Sequence, residues 1–267
     1  MLPDRDFTQC GKRSIPETPV DPQNATAAEP KAGTLSVIIP VFNEARSLGP
    51  LLAALREALK AAPLTLREVL VIDDGSVDDT AAVLEEAALG WPCIRVLRHE
   101  RNRGQAAGLW TGFQAARGDL IVTLDGDGQN PPGDIPGMIE KLLLTGADMV
   151  IGVRASRSDS WVRKRMSRLA NGVRSRFLGD GVSDSGCAMK VFRREVMASF
   201  VPIRTLYSFM PAMAVSASYR VVELAVAHQA RQAGESKYGA RVMLWRPLVD
   251  MLGMWWLMRR SILRAQR

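Results

Sequence analysis

The chain has 267 residues, 47% hydrophobic and 24% charged, enough for one large α/β domain or two small ones with a buried core. Its 35 basic against 28 acidic side chains give a net charge of +7, so an anionic partner is expected without its kind being fixed. Cys10, Cys93 and Cys187 stand far apart with no CxxC pair, which argues against a disulfide framework or a cysteine zinc site and makes a reducing cytosol the default.

Residues 1–33 hold five prolines, mixed charge and few large apolar groups, so they read as a disordered lead with no secretory apolar run. No segment reaches the roughly 20 apolar residues a spanning helix needs. The longest uncharged stretch, Thr205 to Tyr219, has 15 residues and contains Pro211. Leu35 to Pro40 is a short apolar run rich in β-branched residues, which predicts a buried strand. Leu48, Leu51, Leu52, Leu55 and Leu59 follow at helical spacing. Glu68 to Ile72 predicts a second strand ending in Asp73-Asp74-Gly75-Ser76, with Ser76 expected to cap a helix that starts near Asp78 and Asp79 as its capping-box partner. Ile94 to Leu97 reads as a third strand and Gly104 to Ala116 as a third helix. Asp119 to Leu124 reads as a fourth strand, stopped by Asp125-Gly126-Asp127-Gly128. This alternation predicts an α/β fold with a mostly parallel central sheet and helices on both faces. Such sheets bind ligands beyond the carboxyl ends of their strands. That rule gathers Asn43-Glu44, Asp73-Asp74 and Asp125 to Asp127 along one edge.

Gly126 lets the backbone turn sharply between two carboxylates. Magnesium or manganese takes oxygen ligands, usually one or two carboxylates plus substrate phosphates, and neutralises a diphosphate as it leaves. Asp and Gly also favour plain turns. The stronger argument is therefore that both acidic strand ends share an edge, where four carboxylates repel unless a cation is near. No GxGxxG follows a strand and no GxxxxGK[ST] occurs, which argues against a Rossmann dehydrogenase or a P-loop nucleotidase. With His99 and His228 as the two histidines, a histidine zinc hydrolase is poorly supported.

Ser36 to Glu44, then Val71 to Thr80, then Arg101-Asn102-Arg103-Gly104 and Asp125-Gly126-Asp127-Gly128-Gln129-Asn130-Pro131-Pro132 resemble, in order and spacing, family-two glycosyltransferases of the GT-A fold. The resemblance implies that Pro40, Asn43, Glu44 and Asp74 hold the nucleotide. It implies that Asp125, Asp127 and Gln129 hold the metal and diphosphate, the metal being Mg²⁺ or Mn²⁺. Gly152-Val153-Arg154, Trp161-Val162-Arg163 with Ser167, Ser183-Asp184-Ser185-Gly186-Cys187 and the run His228 to Tyr238 look like the polyprenyl-phosphate subgroup. That subgroup includes dolichol-phosphate mannose synthases and bacterial undecaprenyl-phosphate glycosyltransferases. It implies a nucleotide-sugar donor and a polyprenyl-phosphate acceptor. Arg154, Arg163 and Ser167 would hold the lipid phosphate, and Arg231 the departing diphosphate, with Ser236 and Lys237 also on the donor. Asp184 stands where relatives place a base. Cys187 replaces the commoner phenylalanine, and Lys190 stands near a usual arginine.

From the residues alone, 154–176 carry eight basic side chains against one acid, Asp159. Basic groups spaced around a helix repel one another unless an anion is near, and arginine's planar fork suits phosphate. No aromatic residues alternate with this run to stack on bases, so nucleic acid is not the expected partner. A phosphomonoester is largely dianionic at neutral pH, so the acceptor needs steering more than a base. Asp184 is then equally well read as a carboxylate that orients basic neighbours. Residues 241–267 mix Trp245, Trp255, Trp256, leucines and methionines with six arginines and one acid, which suggests an interfacial helix at a membrane surface. A helix packed on the catalytic domain, or half a dimer interface, is the other reading. The expected organisation is a lead over 1–33, a catalytic domain over 34–240 and this helix. The expected location is peripheral on the cytoplasmic side of the membrane, with or without a membrane-protein partner. The alternatives are a family-two transferase acting on a hydroxyl acceptor, for which Asp184 would be an indispensable base, and a non-catalytic basic membrane-binding protein.

Overall fold

A computed structural model describes residues 33–154, 172–229 and 242–260. The elements run β1 (Thr34–Val41), α1 (Ala45–Lys60), β2 (Thr65–Asp73), α2 (Thr80–Gly90), β3 (Ile94–Arg98), α3 (Gln105–Ala115), β4 (Leu120–Thr123), α4 (Ile135–Thr145) and β5 (Met149–Arg154). A helical segment over 172–178 (α5) precedes β6 (Lys190–Arg193), α6 (Leu206–Ser216), β7 (Val221–Val226) and α7 (Val242–Arg260). The strands form one sheet in the order β3-β2-β1-β4-β6-β5-β7. Neighbours are parallel except at β6, which runs antiparallel to both β4 and β5.

Alternation along the central strand builds both cores. Leu35, Val37 and Ile39 of β1 pack with Leu48, Leu52 and Leu55 of α1 and with Ile139 and Leu142 of α4. Ile38 faces the other way, into a cluster with Leu109 and Phe113 of α3 and Phe209 and Met213 of α6. Phe113 and Phe192 meet edge to face at 5.9 Å between ring centres, an arrangement that places ring edge against ring face. Every residue from Leu35 to Val41 is buried, as a strand covered on both faces requires. Helix α3 lies unusually close to the sheet because Gly112 has no side chain: a Cβ there would sit 2.4 Å from Ile38 Cγ2.

Two local expectations change. Strand β2 begins at Thr65 rather than Glu68, because its first three residues are partly solvated and lack an apolar run. Ser76 does not cap α2. Its hydroxyl accepts from the Asn43 N–H at 3.0 Å, while Asp78 Oδ1 accepts from the Thr80 N–H at 3.1 Å at the actual helix start. The reversed direction of β6 matters for function. It brings the amino end of β6, and the loop that leads into it, to the edge where β1, β2, β4 and β5 present their carboxyl ends.

Candidate active site

The turns after β1 and β2 are tied into one unit. Asn43 takes a left-handed backbone (φ 55°), which Asn tolerates better than most residues, and its Oδ1 accepts from the Val77 N–H at 2.9 Å. The Glu44 N–H donates to Thr80 Oγ1 at 2.9 Å. Ser47 Oγ lies 2.8 Å from Glu44 Oε2 and 2.9 Å from the Gly126 carbonyl, linking this turn to the next acidic strand end. Pro40 pairs with Ile72 within the sheet. Pro40 near the end of β1 and Asn43 and Glu44 in the turn after it thus stand together.

Asp73 and Asp74 are engaged by the protein itself. Asp73 Oδ1 accepts from the Ser76 N–H at 2.8 Å, and its other oxygen lies 3.2 Å from Arg98 Nε. Asp74 Oδ1 lies 2.6 Å from His99 Nδ1, and its two oxygens accept from the backbone N–H groups of Arg103 and Gly104. A carboxylate can only accept, so Nδ1 carries the His99 proton, while Nε2 meets Thr111 Oγ1 at 2.9 Å. Gly75 (φ 74°) lies directly on the 101–102 backbone, where a Cβ would stand 2.7 Å from the Arg101 carbonyl carbon. Repulsion among four carboxylates is therefore not what this edge holds, since two of them are matched by protein donors.

The second pair differs. Asp125, half-buried at the end of β4, meets the neutral amide of Gln105, whose Nε2 donates to Oδ1 at 2.6 Å. Burial, and after it the Asp127 charge, push the Asp125 carboxyl up to about 6. Asp127 Oδ1 accepts from the Gln129 N–H at 3.0 Å, and the Gln129 carbonyl accepts from the Gln229 N–H at 2.8 Å. The donor set fits a hard divalent cation: two carboxylates at a turn, a number that leaves coordination positions for substrate phosphate.

On the other side of the sheet edge, Arg154 at the end of β5 forms a two-pronged bond with Asp184, Nε and Nη2 each at 2.7 Å from one carboxylate oxygen. Burial opposes the charge of Arg154, but the Asp184 carboxylate more than compensates and holds the guanidinium above the ordinary arginine range. Lys190, the first residue of β6, is 1% exposed and donates to the Cys187 carbonyl. Burial lowers its ammonium, while the Asp125 and Asp184 carboxylates act in the opposite sense.

The structure thus brings Pro40, Asn43, Glu44, Asp74, Asp125, Asp127, Gln129, Arg154 and Asp184 to one edge. Arg163, Ser167, Arg231, Ser236 and Lys237 lie outside the described residues. Sequence reading missed His99, Gln105 and the buried cation of Lys190. The signal for His99 was its place immediately after β3, at the functional edge. For Gln105 it was a polar side chain on the first residue of a helix that starts there. Nothing in the local sequence announced the burial of Lys190, which follows from β6 lying between β4 and β5.

Comparison with known proteins identifies the fold and the family. The fold is GT-A. The glucosyl-3-phosphoglycerate synthase of Mycobacterium tuberculosis, solved with Mg²⁺ and uridine diphosphate, superposes with a TM-score of 0.63 over 84% of this chain and 79% of that one, at 20% identity. The model of glycosyl transferase family 2 matches residues 36–200. The chain belongs to glycosyl transferase family 2. It is 41% identical over 207 residues to the undecaprenyl-phosphate 4-deoxy-4-formamido-L-arabinose transferase of Edwardsiella ictaluri, covering 77% of this chain and 63% of that protein. It is 35% identical over 247 residues to the dodecaprenyl-phosphate galacturonate synthase of Rhizobium johnstonii, covering 91% and 72%. The chain thus spans a little under two thirds of the first of these relatives.

Proposed function

We propose that this protein transfers a sugar from a nucleotide-sugar to a polyprenyl phosphate, with inversion at the anomeric carbon. The observation that carries the reading is the placement of the Asp125–Asp127 pair and the Asp184-oriented guanidinium of Arg154 on one sheet edge. An acidic group suited to a cation and diphosphate stands beside a basic group suited to a phosphate acceptor. The names of the relatives at 41% and 35% identity support a polyprenyl-phosphate acceptor.

In this reading the turn containing Asn43 and Glu44, with the 101–104 loop clamped by Asp74, receives the nucleotide. Asp125, Asp127 and Gln129 would hold Mg²⁺ or Mn²⁺, which supplies charge neutralisation for the nucleoside diphosphate. Arg154, with Arg163 and Ser167, steers an acceptor phosphate oxygen onto the anomeric carbon. As that carbon–oxygen bond forms, the bond to the diphosphate breaks and its electron pair leaves with the diphosphate, for which the family resemblance would recruit Arg231, Ser236 and Lys237. The acceptor is already ionised, so no base is needed. Both Asp184 oxygens are engaged by Arg154, which favours Asp184 as an orienting group.

Contact with a membrane surface belongs to the same reading. No helix among the described residues is long and apolar enough to cross a membrane. Helix α7 exposes Val249, Leu252 and Trp256 at helical spacing, with the Arg260 guanidinium 5.4 Å from the Trp256 ring centre. Aromatic residues beside arginines suit an interface between apolar chains and anionic headgroups, on the cytoplasmic side, with or without a membrane-protein partner. The deciding experiment incubates the full chain with undecaprenyl phosphate and a panel of nucleotide-sugars (UDP-glucose, UDP-linked aminoarabinose or uronic acid, GDP-mannose). Mass detection of a glycosylated lipid phosphate supports the reading. Donor turnover onto a sugar hydroxyl with no lipid product would replace it.

A further inference from the structure

Asp74 and Asp125 end strands on opposite sides of β1, yet both are bonded to the same short stretch of chain. Asp74 accepts from the N–H groups of Arg103 and Gly104 at 2.9 and 2.7 Å, which fixes where α3 begins. The next residue, Gln105, opens α3 and donates its side-chain amide to Asp125 at 2.6 Å. From the far side, His99 joins Asp74 to Thr111, which lies six residues further along the same helix. The close seat of Gly112 on Ile38 sets the depth of α3 against the sheet. The helix is thereby held at its start, in its second turn and along its face, leaving the Gln105 amide little room to move away from Asp125.

We propose that Gln105 is a positioning residue for Asp125, one end of a brace that runs from His99 and Asp74 through the first turn of α3 and sets the nucleotide side and the metal side together. The choice of an amide has a chemical reason. Lysine or arginine at position 105 would cancel the charge that a cation needs, whereas an amide fixes one oxygen of Asp125 and leaves the charge in place. The orientation of the Asp125–Asp127 pair is then set before any ligand arrives, which lowers the cost of ordering it on binding. This inference rests on the metal and nucleotide reading given above.

The test measures binding, apart from turnover, with the full chain. Free Mn²⁺ is followed by electron paramagnetic resonance in the presence of uridine diphosphate, for wild type, Gln105→Met and Gln105→Ala. Loss of one orienting hydrogen bond is expected to weaken Mn²⁺ binding about three- to tenfold in both variants, at unchanged melting temperature. His99→Leu acts at the other end of the brace. It is expected to lose hydrogen-exchange protection at the Arg103 and Gly104 amides and to show the same weakening, whereas Gln105→Met keeps that protection. Wild-type affinity in both Gln105 variants would overturn the brace while leaving the proposed metal site standing. A wild-type protein that holds no Mn²⁺ with uridine diphosphate would overturn both.

Discussion

Two pairs of acids end strands that flank β1 on either side, and they are employed differently. Asp73 and Asp74, after β2, accept from Ser76, His99, Arg103 and Gly104, and Asp73 pairs with the Arg98 charge at 3.2 Å, so these acids go into holding two loops in register. Asp125, after β4, receives a neutral amide, and burial with the Asp127 charge raises its carboxyl to about 6. The same residue type on either side of β1 thus builds a scaffold in one place and, in the proposed reading, a reactive edge in the other. The difference lies in the partners each motif meets: the end of β3 and the residue after it supply an arginine and a histidine to the first pair, and α3 supplies an amide to the second. A buried charge met by donors contributes to the fold, while one left repelling a neighbour is destabilising and persists where chemistry requires it.

The sharpest way to break this comparison is to neutralise one member of the reactive pair. Asp127→Asn is expected to lower turnover about a hundred- to a thousandfold, the scale on which one transition-state charge partner acts, with the melting temperature no lower than wild type. Turnover in a defined Mg²⁺ or Mn²⁺ buffer and calorimetric melting check the two halves. Full activity of the wild type in excess chelator would remove the metal from the account. The scaffold pair should respond in the opposite sense. Asp74→Asn puts an amide against two backbone N–H groups and the imidazole, at a cost of about 1.5–3 kcal/mol for a lost charged acceptor. That corresponds to a melting temperature lower by roughly 3–10 °C for a chain of this size. An Asp74→Asn protein that melts with wild type but has lost nucleotide binding would show the carboxylate to be a ligand first and a clamp second.

Much of this arrangement was legible in the residues. The continuous β-branched apolar run of β1 and the period-3.6 leucines of α1 led directly to the central strand and its leucine-faced helix, because the strand is covered on both faces and the helix buries one. The rule that ligands gather at strand carboxyl ends placed three motifs on one edge before any contact was known. What a linear reading could not supply was pairing at a distance. Arg98 pairs with Asp73 and His99 hydrogen-bonds Asp74, each from 25 residues away at the end of β3 and just beyond it, so the repulsion expected of four carboxylates does not arise. The antiparallel β6 was equally hidden. A four-residue strand carries too little periodicity to show its direction, yet that direction delivers the Asp184 loop and the Lys190 cation to the site. Ser76 followed the rule for a helix cap and was taken instead by Asn43, a competition between local and cross-loop donors that local sequence does not decide.

Asp184 offers the finest test, because it stands between the two kinds of acid. It is 7% exposed and matched by an arginine, like the scaffold pair, yet it lies at the reactive edge beside Lys190. If its duty is to hold the Arg154 guanidinium for the acceptor phosphate, Arg154→Ala should lower specificity for that acceptor by about tenfold or more, the cost of a charge-assisted hydrogen bond. Uridine diphosphate binding, measured separately by calorimetry, should stay near wild type. Asp184→Asn keeps one oxygen for the guanidinium and should cost less, about three- to tenfold, again in use of the acceptor. Arg154→Lys should recover part of the loss, since an ammonium retains the charge without the two-pronged geometry. A base would behave otherwise. Its removal strips the proton acceptor from a hydroxyl nucleophile and lowers turnover by roughly a hundred- to ten-thousandfold, at any acceptor concentration. Finding that pattern in Asp184→Asn, with Arg154→Ala close to wild type, would reverse the ranking of the two residues. The acceptor would then be a hydroxyl rather than a phosphate.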